Sequence, residues 1–310
     1  MNWKLKSLIQ RTCAMLPVSQ EQIYYLLQRN FGSLRQPADP TPMWKEAVSV
    51  ITDLKAAGFD MRDACVLEVG TGRCLDMPIA FFLCGAHSVV TVDLHAYLKE
   101  TLAMQSIRAL RQNREKFRAM FEPVVEGGEF DRRWEALAQV TSLSMLFKTA
   151  SIDYRAPADA AQTKLASGSI DLHTSYTVFE HIPREVLVRI LHEANRLLSE
   201  RGVACHHIDA SDHFSSEDPN ITAINFLQFS EAEWARYAGN AFAYHNRLRA
   251  DQYRELYDQS GQNILQWKEF LDSRSLQAIK SGFSLHWDFQ TKTPEVLSIG
   301  VVRVISQLQR

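Results

Sequence analysis

Val66-Leu67-Glu68-Val69-Gly70-Thr71-Gly72-Arg73, followed by Val89-Val90-Thr91-Val92-Asp93-Leu94, sets the fold of this 310-residue chain. Each stretch opens as a continuous apolar run, which a parallel strand covered on both faces requires. Gly70 and Gly72 then let the backbone turn tightly and approach a ligand with no Cβ in the way. Asp76 to Cys84 reads as the helix that carries the chain back. Asp93 ends the second run some 23 residues after Gly70, where a carboxylate can accept hydrogen bonds from both hydroxyls of a ribose. The layout predicts an α/β sheet with an adenosine-containing cofactor at its carboxyl edge.

A nicotinamide dinucleotide fingerprint needs G-x-G-x-x-G, and the sixth position of that pattern here is Leu75, with Cys74 before it. Glu68 stands two residues before the first glycine, and E-x-G-x-G resembles motif I of the class I S-adenosylmethionine-dependent methyltransferases. The resemblance implies that Glu68 holds the methionine end of the cofactor, partly through water to its ammonium, while Gly70, Thr71, Gly72 and Arg73 pass beneath the sulfonium. No pyrophosphate is then present, and no third glycine is needed. The chain departs from the commonest family pattern, G-x-G-x-G, by placing Cys74 at the third glycine position.

Further stretches extend the resemblance in order. Asp159-Ala160, after the strand candidate Ser151-Ile152-Asp153-Tyr154, resembles the adenine-binding pair. Gly168 to Tyr176, then Thr177-Val178-Phe179-Glu180-His181-Ile182-Pro183, resembles the fourth strand and its exit. Together these cover roughly residues 64 to 210. The resemblance implies a seven-stranded, mostly parallel Rossmann-like sheet with helices on both faces, an N-terminal helical cap and helical insertions. It assigns the cofactor to Glu68, Gly70, Thr71, Gly72, Arg73, Asp93, Leu94, Asp159, Ala160 and Ser175.

A hydrophobic content of 46% over this length allows a large buried core, as one elaborated domain or as a core plus a cap. The formal net charge of −2 leaves no global basic footprint of the kind that dominates nucleic-acid binding. Small or neutral partners are favoured. Five cysteines, Cys13, Cys65, Cys74, Cys84 and Cys205, are odd in number and lie mostly inside apolar runs, which predicts reduced thiols and a cytoplasmic setting. The basic N-terminus is followed by an apolar stretch broken at Gln10, Arg11 and Thr12, so no secretion signal is expected. Met77 to Ala86, the longest apolar stretch, is far below the roughly 20 residues that span a bilayer.

Residues 1–60 read as the helical cap and 61–310 as the methyltransferase domain, with insertions near 98–148 and 214–260. In the cap, Ser19 and Gln22 suggest a capping box opening Ile23-Tyr24-Tyr25-Leu26-Leu27. Trp44 to Ala57 forms a second amphipathic run stopped by Gly58. Between them, Gly32 to Pro40 is a linker or lid candidate; packing against the sheet edge is the alternative to a lid over the cofactor. The first insertion carries Arg108, Arg111, Arg114 and Arg118 at helical spacing, read as a solvated face in preference to a phosphate site. Pro183 to Ser199 is a helix with Gly202 just past its end. Val203 to Ile208 is the fifth strand. Ser230 and Glu233 suggest another capping box, with helices running through Trp234, Tyr237, Tyr244 and Leu256 to Gly261. Ile264 to Phe270 and Val296 to Ile305 are the last two strands, antiparallel in the resembled family.

Ligands of open α/β sheets bind outside the carboxyl ends of the strands, which puts Ser175 to His181 and His207 to His213 at the reacting end. Methyl transfer from a sulfonium is an in-line displacement from an excellent leaving group, so alignment dominates and a base serves only a protonated acceptor. His181 can act as that base, with Glu180 orienting it or lining the methionine pocket; a structural role for the pair is the alternative. In the second cluster, strand alternation sends His207 and Asp209 to one face and His206 and Ile208 to the other. His207, Asp209 and His213 match a two-His-one-carboxylate set, but a base-plus-orienter dyad is preferred and no metal is assigned. Arg247 and Arg249 can bind an anionic acceptor or form surface ion pairs with Asp251 or Glu255. Trp234, Tyr237, Trp267 and Trp287 line an aromatic pocket or the core.

The expected function is methyl transfer from S-adenosyl-L-methionine to oxygen or nitrogen of a small molecule, a secondary metabolite or a saccharide, through an Asp/His-assisted in-line displacement that releases S-adenosyl-L-homocysteine. The expected catalytic residues are His181, His207 and Asp209. No nucleic acid or membrane is expected as partner, and a homodimer is compatible with the reading. A non-catalytic module that binds the cofactor is the rival from another class. A macromolecule methyltransferase is disfavoured, because no N/D-P-P-Y/F follows the fourth strand.

Overall fold

The computed structural model describes residues 1–15, 39–240 and 243–309. Seven strands form a single sheet in the order β3-β2-β1-β4-β5-β7-β6. They are β1 (Cys65–Val69), β2 (Ser88–Val92), β3 (Ile152–Arg155), β4 (Ile170–Tyr176), β5 (Leu198–Asp209), β6 (Gln262–Leu271) and β7 (Ile299–Leu308). The first five are parallel, and β7 runs antiparallel between β5 and β6. β1 is paired on both sides, Val66 with Val89 of β2 and with Leu172 of β4. Its alternate residues enter two different cores, so it must be apolar on both faces.

On one face Val66 joins Trp44, Leu54, Phe81, Phe117, Phe121 and Phe130. These come from α2 (Thr41–Ala56), α3 (Asp76–Leu83), α5 (Arg114–Phe121) and α6 (Gly127–Ala138). On the other face Leu67 and Val69 meet Leu187, Ile190, Leu191, Tyr253 and Tyr257, carried by α8 (Arg184–Leu197) and α10 (Ala250–Gln259). A third cluster joins Trp3 of α1 (Trp3–Met15) to Phe214, Phe226, Phe289 and Trp234 of α9 (Glu231–Ala238). Trp3 N–H donates to Asp218 at 2.9 Å and Ser7 Oγ to the Tyr237 carbonyl at 2.7 Å, so α1 packs on the segment after β5. The capping box at Ser19 and Gln22, the Ile23–Leu27 segment and most of the Gly32–Pro40 linker lie outside the described residues.

The crossover from β2 to β3 is helical, with α4 (Glu100–Gln112) and α7 (Leu143–Thr149) beside α5 and α6. Its arginines fall on two helices, Arg108 and Arg111 on α4 and Arg114 and Arg118 on α5. Asn113 separates α4 from α5; Arg114 and Arg118 both pair with Asp131, and Arg111 donates to the Val140 carbonyl. The α8 helix ends at Leu197, and Leu198 to Arg201 already belong to β5, so Gly202 lies inside that strand beside a register shift between Ile170 and Leu172. Tyr244 lies in an irregular segment between α9 and α10, not in a helix. Val296 and Leu297 close the short helix α12 (Pro294–Leu297), which follows α11 (Ser273–Lys280), and β7 begins at Ile299. The capping box at Ser230 and Glu233 is present. No helix among the described residues is long and apolar enough to cross a membrane.

A buried ion pair ties α2 to the antiparallel edge. Arg303 of β7, 3% exposed, donates to Asp53 at 2.8 Å and to Ser49 Oγ at 2.8 Å, and Lys268 of β6 meets the other Asp53 oxygen at 2.5 Å. Burial acts to raise the Asp53 pKa, but the hydrogen bonds from Lys268 and Arg303 outweigh it and the group is held below the ordinary range. Removing one member of such a pair strands the other. Arg303→Met is expected to lower unfolding free energy by about 3 kcal/mol in urea titrations; a loss well under about 1 kcal/mol would show that the pair does not hold α2 to the sheet.

Candidate active site

The turns after β1, β2 and β3 are bonded to one another at the carboxyl edge. Gly70, at φ +89, donates its N–H to the Val92 carbonyl at 2.7 Å. A Cβ at Gly70 would stand 2.3 Å from Val178 Cγ2, so no larger residue fits between this turn and the exit of β4. Gly72, at φ +64, donates to Asp93 Oδ2 at 2.8 Å, and His95 N–H donates to Oδ1 at 2.9 Å. The Asp93 carbonyl accepts from Ala158 N–H at 2.8 Å, drawing in the Asp159-Ala160 turn. Asp159 is exposed and its carboxylate accepts from Ala161 N–H at 2.8 Å; Ala160 is buried. Arg73 lies over the Tyr97 ring at 5.5 Å, and Leu94 is exposed. Glu68, the Gly70–Arg73 turn, Asp93, Leu94, Asp159 and Ala160 therefore stand around three adjacent strand ends.

Beneath the turn, Thr91 Oγ1 donates to Glu68 Oε2 at 2.5 Å and meets Thr71 Oγ1 at 2.7 Å. Glu68 is 5% exposed and no basic group pairs with it among the described contacts. Burial raises its pKa from 4.5 to about 8, with Asp93 and Asp76 adding to the rise and the Thr91 hydrogen bond opposing it. A buried acid with no countercharge suits a ligand that brings a cation.

Ser175 is placed differently from the other cofactor candidates. It is buried, and its Oγ shares a 2.9 Å hydrogen bond with His206 Nδ1; the His206 ring stacks on Phe179 at 4.2 Å. His207 stacks on Tyr176 at 4.5 Å, and its Nδ1 accepts from Arg303 at 3.2 to 3.3 Å. Burial, then the Arg303 charge, lowers its pKa to about 4. Thr177, a β-branched residue at φ +51, donates its N–H to the His207 carbonyl at 2.8 Å. That strained position follows β4 directly and carried no signal in the sequence.

Asp209 lies with a different set of histidines. Its Oδ2 is 3.2 Å from His213 Nε2, and Ser211 N–H and Oγ both donate to Oδ1. Burial acts to raise the Asp209 pKa, but His213 and Ser211 hold it at about 2. The His213 ring centroid is 4.1 Å from that of His245 and 5.0 Å from that of His181, and His181 and His245 are 4.7 Å apart. Glu180 Oε1 is 4.0 Å from His213 Nε2. The structure thus joins His181 to Asp209 and His213 and leaves His207 against Arg303. His245 was missed from the sequence because it lies in an irregular segment with no periodicity to place it.

Arg247 and Arg249 are buried and do not form surface pairs with Asp251 or Glu255. Arg247 donates to the Phe226 and Phe229 carbonyls and pairs with Glu231 at 2.5 Å, and Arg249 donates to the Ala210 carbonyl. The expected surface pairing fails because burial makes backbone carbonyls their nearest acceptors. Trp234 packs in the third core, whereas Trp287 is 72% exposed.

Residues 135–206 match the family described as "Methyltransferase domain". The matched stretch runs from α6 through β3 and β4 into β5, beyond the glycine turn. The sheet order is that of a seven-stranded, mostly parallel Rossmann-like fold. No curated protein sequence matches the chain. Among solved structures, the chain is similar to phosphoethanolamine N-methyltransferase 2 of Haemonchus contortus in complex with S-adenosyl-L-methionine, at 12% identity and TM-score 0.46, over 86% of this chain and 53% of that one. It is similar to magnesium protoporphyrin IX methyltransferase of Synechocystis PCC 6803 with bound SAH, at 11% identity and TM-score 0.42, over 86% and 83%. A TehB-like SAM-dependent methyltransferase of Corynebacterium glutamicum aligns at 11% identity and TM-score 0.43, over 94% and 99%.

A raised carboxyl pKa means that the folded chain keeps a proton which the unfolded chain releases, so Glu68 takes stability away as pH rises from about 4.5 to about 8. Glu68→Gln is expected to cancel that part of the decline. Urea midpoints measured across this range should show the variant gaining on the native chain toward alkaline pH; a difference that stays flat would show that Glu68 is not the group holding the proton.

Proposed function

We propose that this chain is an S-adenosyl-L-methionine-dependent methyltransferase acting on oxygen or nitrogen of a small molecule. The observation that carries the reading is the Asp93 carboxylate, held by Gly72 N–H and His95 N–H, together with the buried Glu68 at the end of β1. One acid stands where a ribose diol would sit, and a second, lacking a countercharge, stands where an ammonium would. Leu75 in place of a third glycine counts against a pyrophosphate-containing cofactor. Bound there, S-adenosyl-L-methionine would supply an activated methyl group and leave as S-adenosyl-L-homocysteine.

In this reading Asp159 and Ala160 hold the adenine, and Gly70 to Arg73 and Leu94 line the cofactor. Ser175 acts from below by fixing His206 behind the exit of β4. His181, one edge of which is exposed, and Asp209 face the acceptor, and Asp209 keeps His213 oriented as an alternate proton acceptor. His207, whose Nδ1 is held by Arg303, positions Tyr176 and the strained Thr177 turn. A net charge of −2 and the absence of a basic stripe in the sequence favour a small acceptor, a secondary metabolite or a saccharide, in a cytoplasmic setting.

Asp93→Ala removes the ribose acceptors while leaving Glu68 in place. It is expected to weaken binding of radiolabelled S-adenosyl-L-methionine in equilibrium dialysis by about 1 to 3 kcal/mol. Affinity equal to that of the native chain would contradict the proposed cofactor pose.

A further inference from the structure

We propose that His181, His213 and His245, together with the Asp209 carboxylate, bind a divalent transition-metal ion of the zinc class at the acceptor end of the site. One ligand atom from each of the three histidines lies within 4.8 Å of the others. Nitrogens around a tetrahedral zinc ion with bonds of about 2.0 to 2.1 Å stand about 3.3 Å apart. Closure needs a shift of an ångström or so, and His181 at the surface and His213, with a side chain 32% exposed, have room to make it.

Two of the rings are already fixed in the manner of metal ligands. His181 Nδ1 bonds to the Tyr244 carbonyl at 2.9 Å, and His245 Nδ1 bonds to the Ala243 carbonyl at 3.0 Å. A backbone carbonyl on one ring nitrogen sets the tautomer and frees the other to coordinate. His245, 7% exposed, has its Nε2 buried with no hydrogen-bond partner, and Glu180, 1% exposed, has both carboxylate oxygens in the same condition. Buried polar atoms are ordinarily paired, and this concentration of unpaired acceptors around His213 is what a cation would satisfy. The nearby guanidinium groups do not fill that role: Arg249 is turned to backbone carbonyls and Arg247 to Glu231.

Three imidazoles with one carboxylate, and Glu180 at 4.0 Å as a further oxygen, suit zinc, cobalt, nickel or iron(II) better than magnesium or calcium, which prefer all-oxygen shells. The set also lies close to the glycine turn, because His181 N–H donates to the carbonyl of Val178, whose side chain closes on Gly70. An ion here would lower the pKa of a bound acceptor hydroxyl, with His181 and His213 serving as its ligands in place of taking the acceptor proton themselves. That use rests on the methyltransferase reading; ion binding itself does not.

The test is titration of the chelator-treated, dialysed full chain with cobalt(II) chloride, followed by visible d–d absorption, and then displacement with zinc chloride. One cobalt ion per chain, released by zinc, is expected. His213→Ala and His245→Ala should each weaken cobalt binding more than tenfold and change the spectrum, while His87→Ala, at an exposed position elsewhere, should not. Circular dichroism reports whether each variant is folded, and if His245→Ala is not, the half-buried His213 decides. Absence of stoichiometric cobalt binding to the native chain, or a spectrum unaltered by His213→Ala, would overturn the proposal. Binding of S-adenosyl-L-homocysteine to the same metal-free sample separates failure of the ion site from failure of the cofactor reading.

Discussion

Everything at the site depends on β1 being paired in parallel on both sides. With β2 and β3 on one flank and β4 and β5 on the other, the chain leaves the carboxyl end of β1 at the point where strand order reverses. Connections on the two flanks diverge at such a point, which is where open α/β sheets bind their ligands. The turn that follows β1 has to be narrow, and the contact between Gly70 and Val178 shows how narrow. Through that contact the turns built on β1 to β3 touch the segment that leaves β4.

The two sides are electrostatically different. On the cofactor side, carboxylates face backbone N–H groups and hydroxyls, with Glu68 buried and lacking a cation. On the acceptor side, histidines gather around Asp209 and Glu180. Burial alone would make both sets costly. The proposed cofactor would bring an ammonium to one set, and the proposed metal ion a charge to the other. The Arg303 and Asp53 pair shows the contrasting case, in which the countercharge is covalently part of the chain and the result is a structural tie.

The sheet and the turns after β1 and β2 were legible in the sequence because each depends on local rules. Apolar runs mark β1 and β2, glycines mark the turn, and Asp93 falls at a fixed distance along the chain. The acceptor side was legible only in part. Alternation along β5 grouped His207 with Asp209, but it says nothing about which neighbour reaches each ring, and Arg303 of β7 claims His207 from far along the chain. His245 lies in a segment without period, and only tertiary packing brings it beside His213. The arginine series from Arg108 to Arg118 is interrupted at Asn113, where the helix breaks, yet Arg108, Arg111 and Arg118 are exposed, as a solvated reading requires.

Calorimetric titration of the native chain with S-adenosyl-L-homocysteine, with NADH as the comparison ligand, tests the central claim most directly. Micromolar binding of S-adenosyl-L-homocysteine with no heat from NADH is the predicted result. Preference for NADH, or binding of neither, would contradict the account of the crevice at the end of β1.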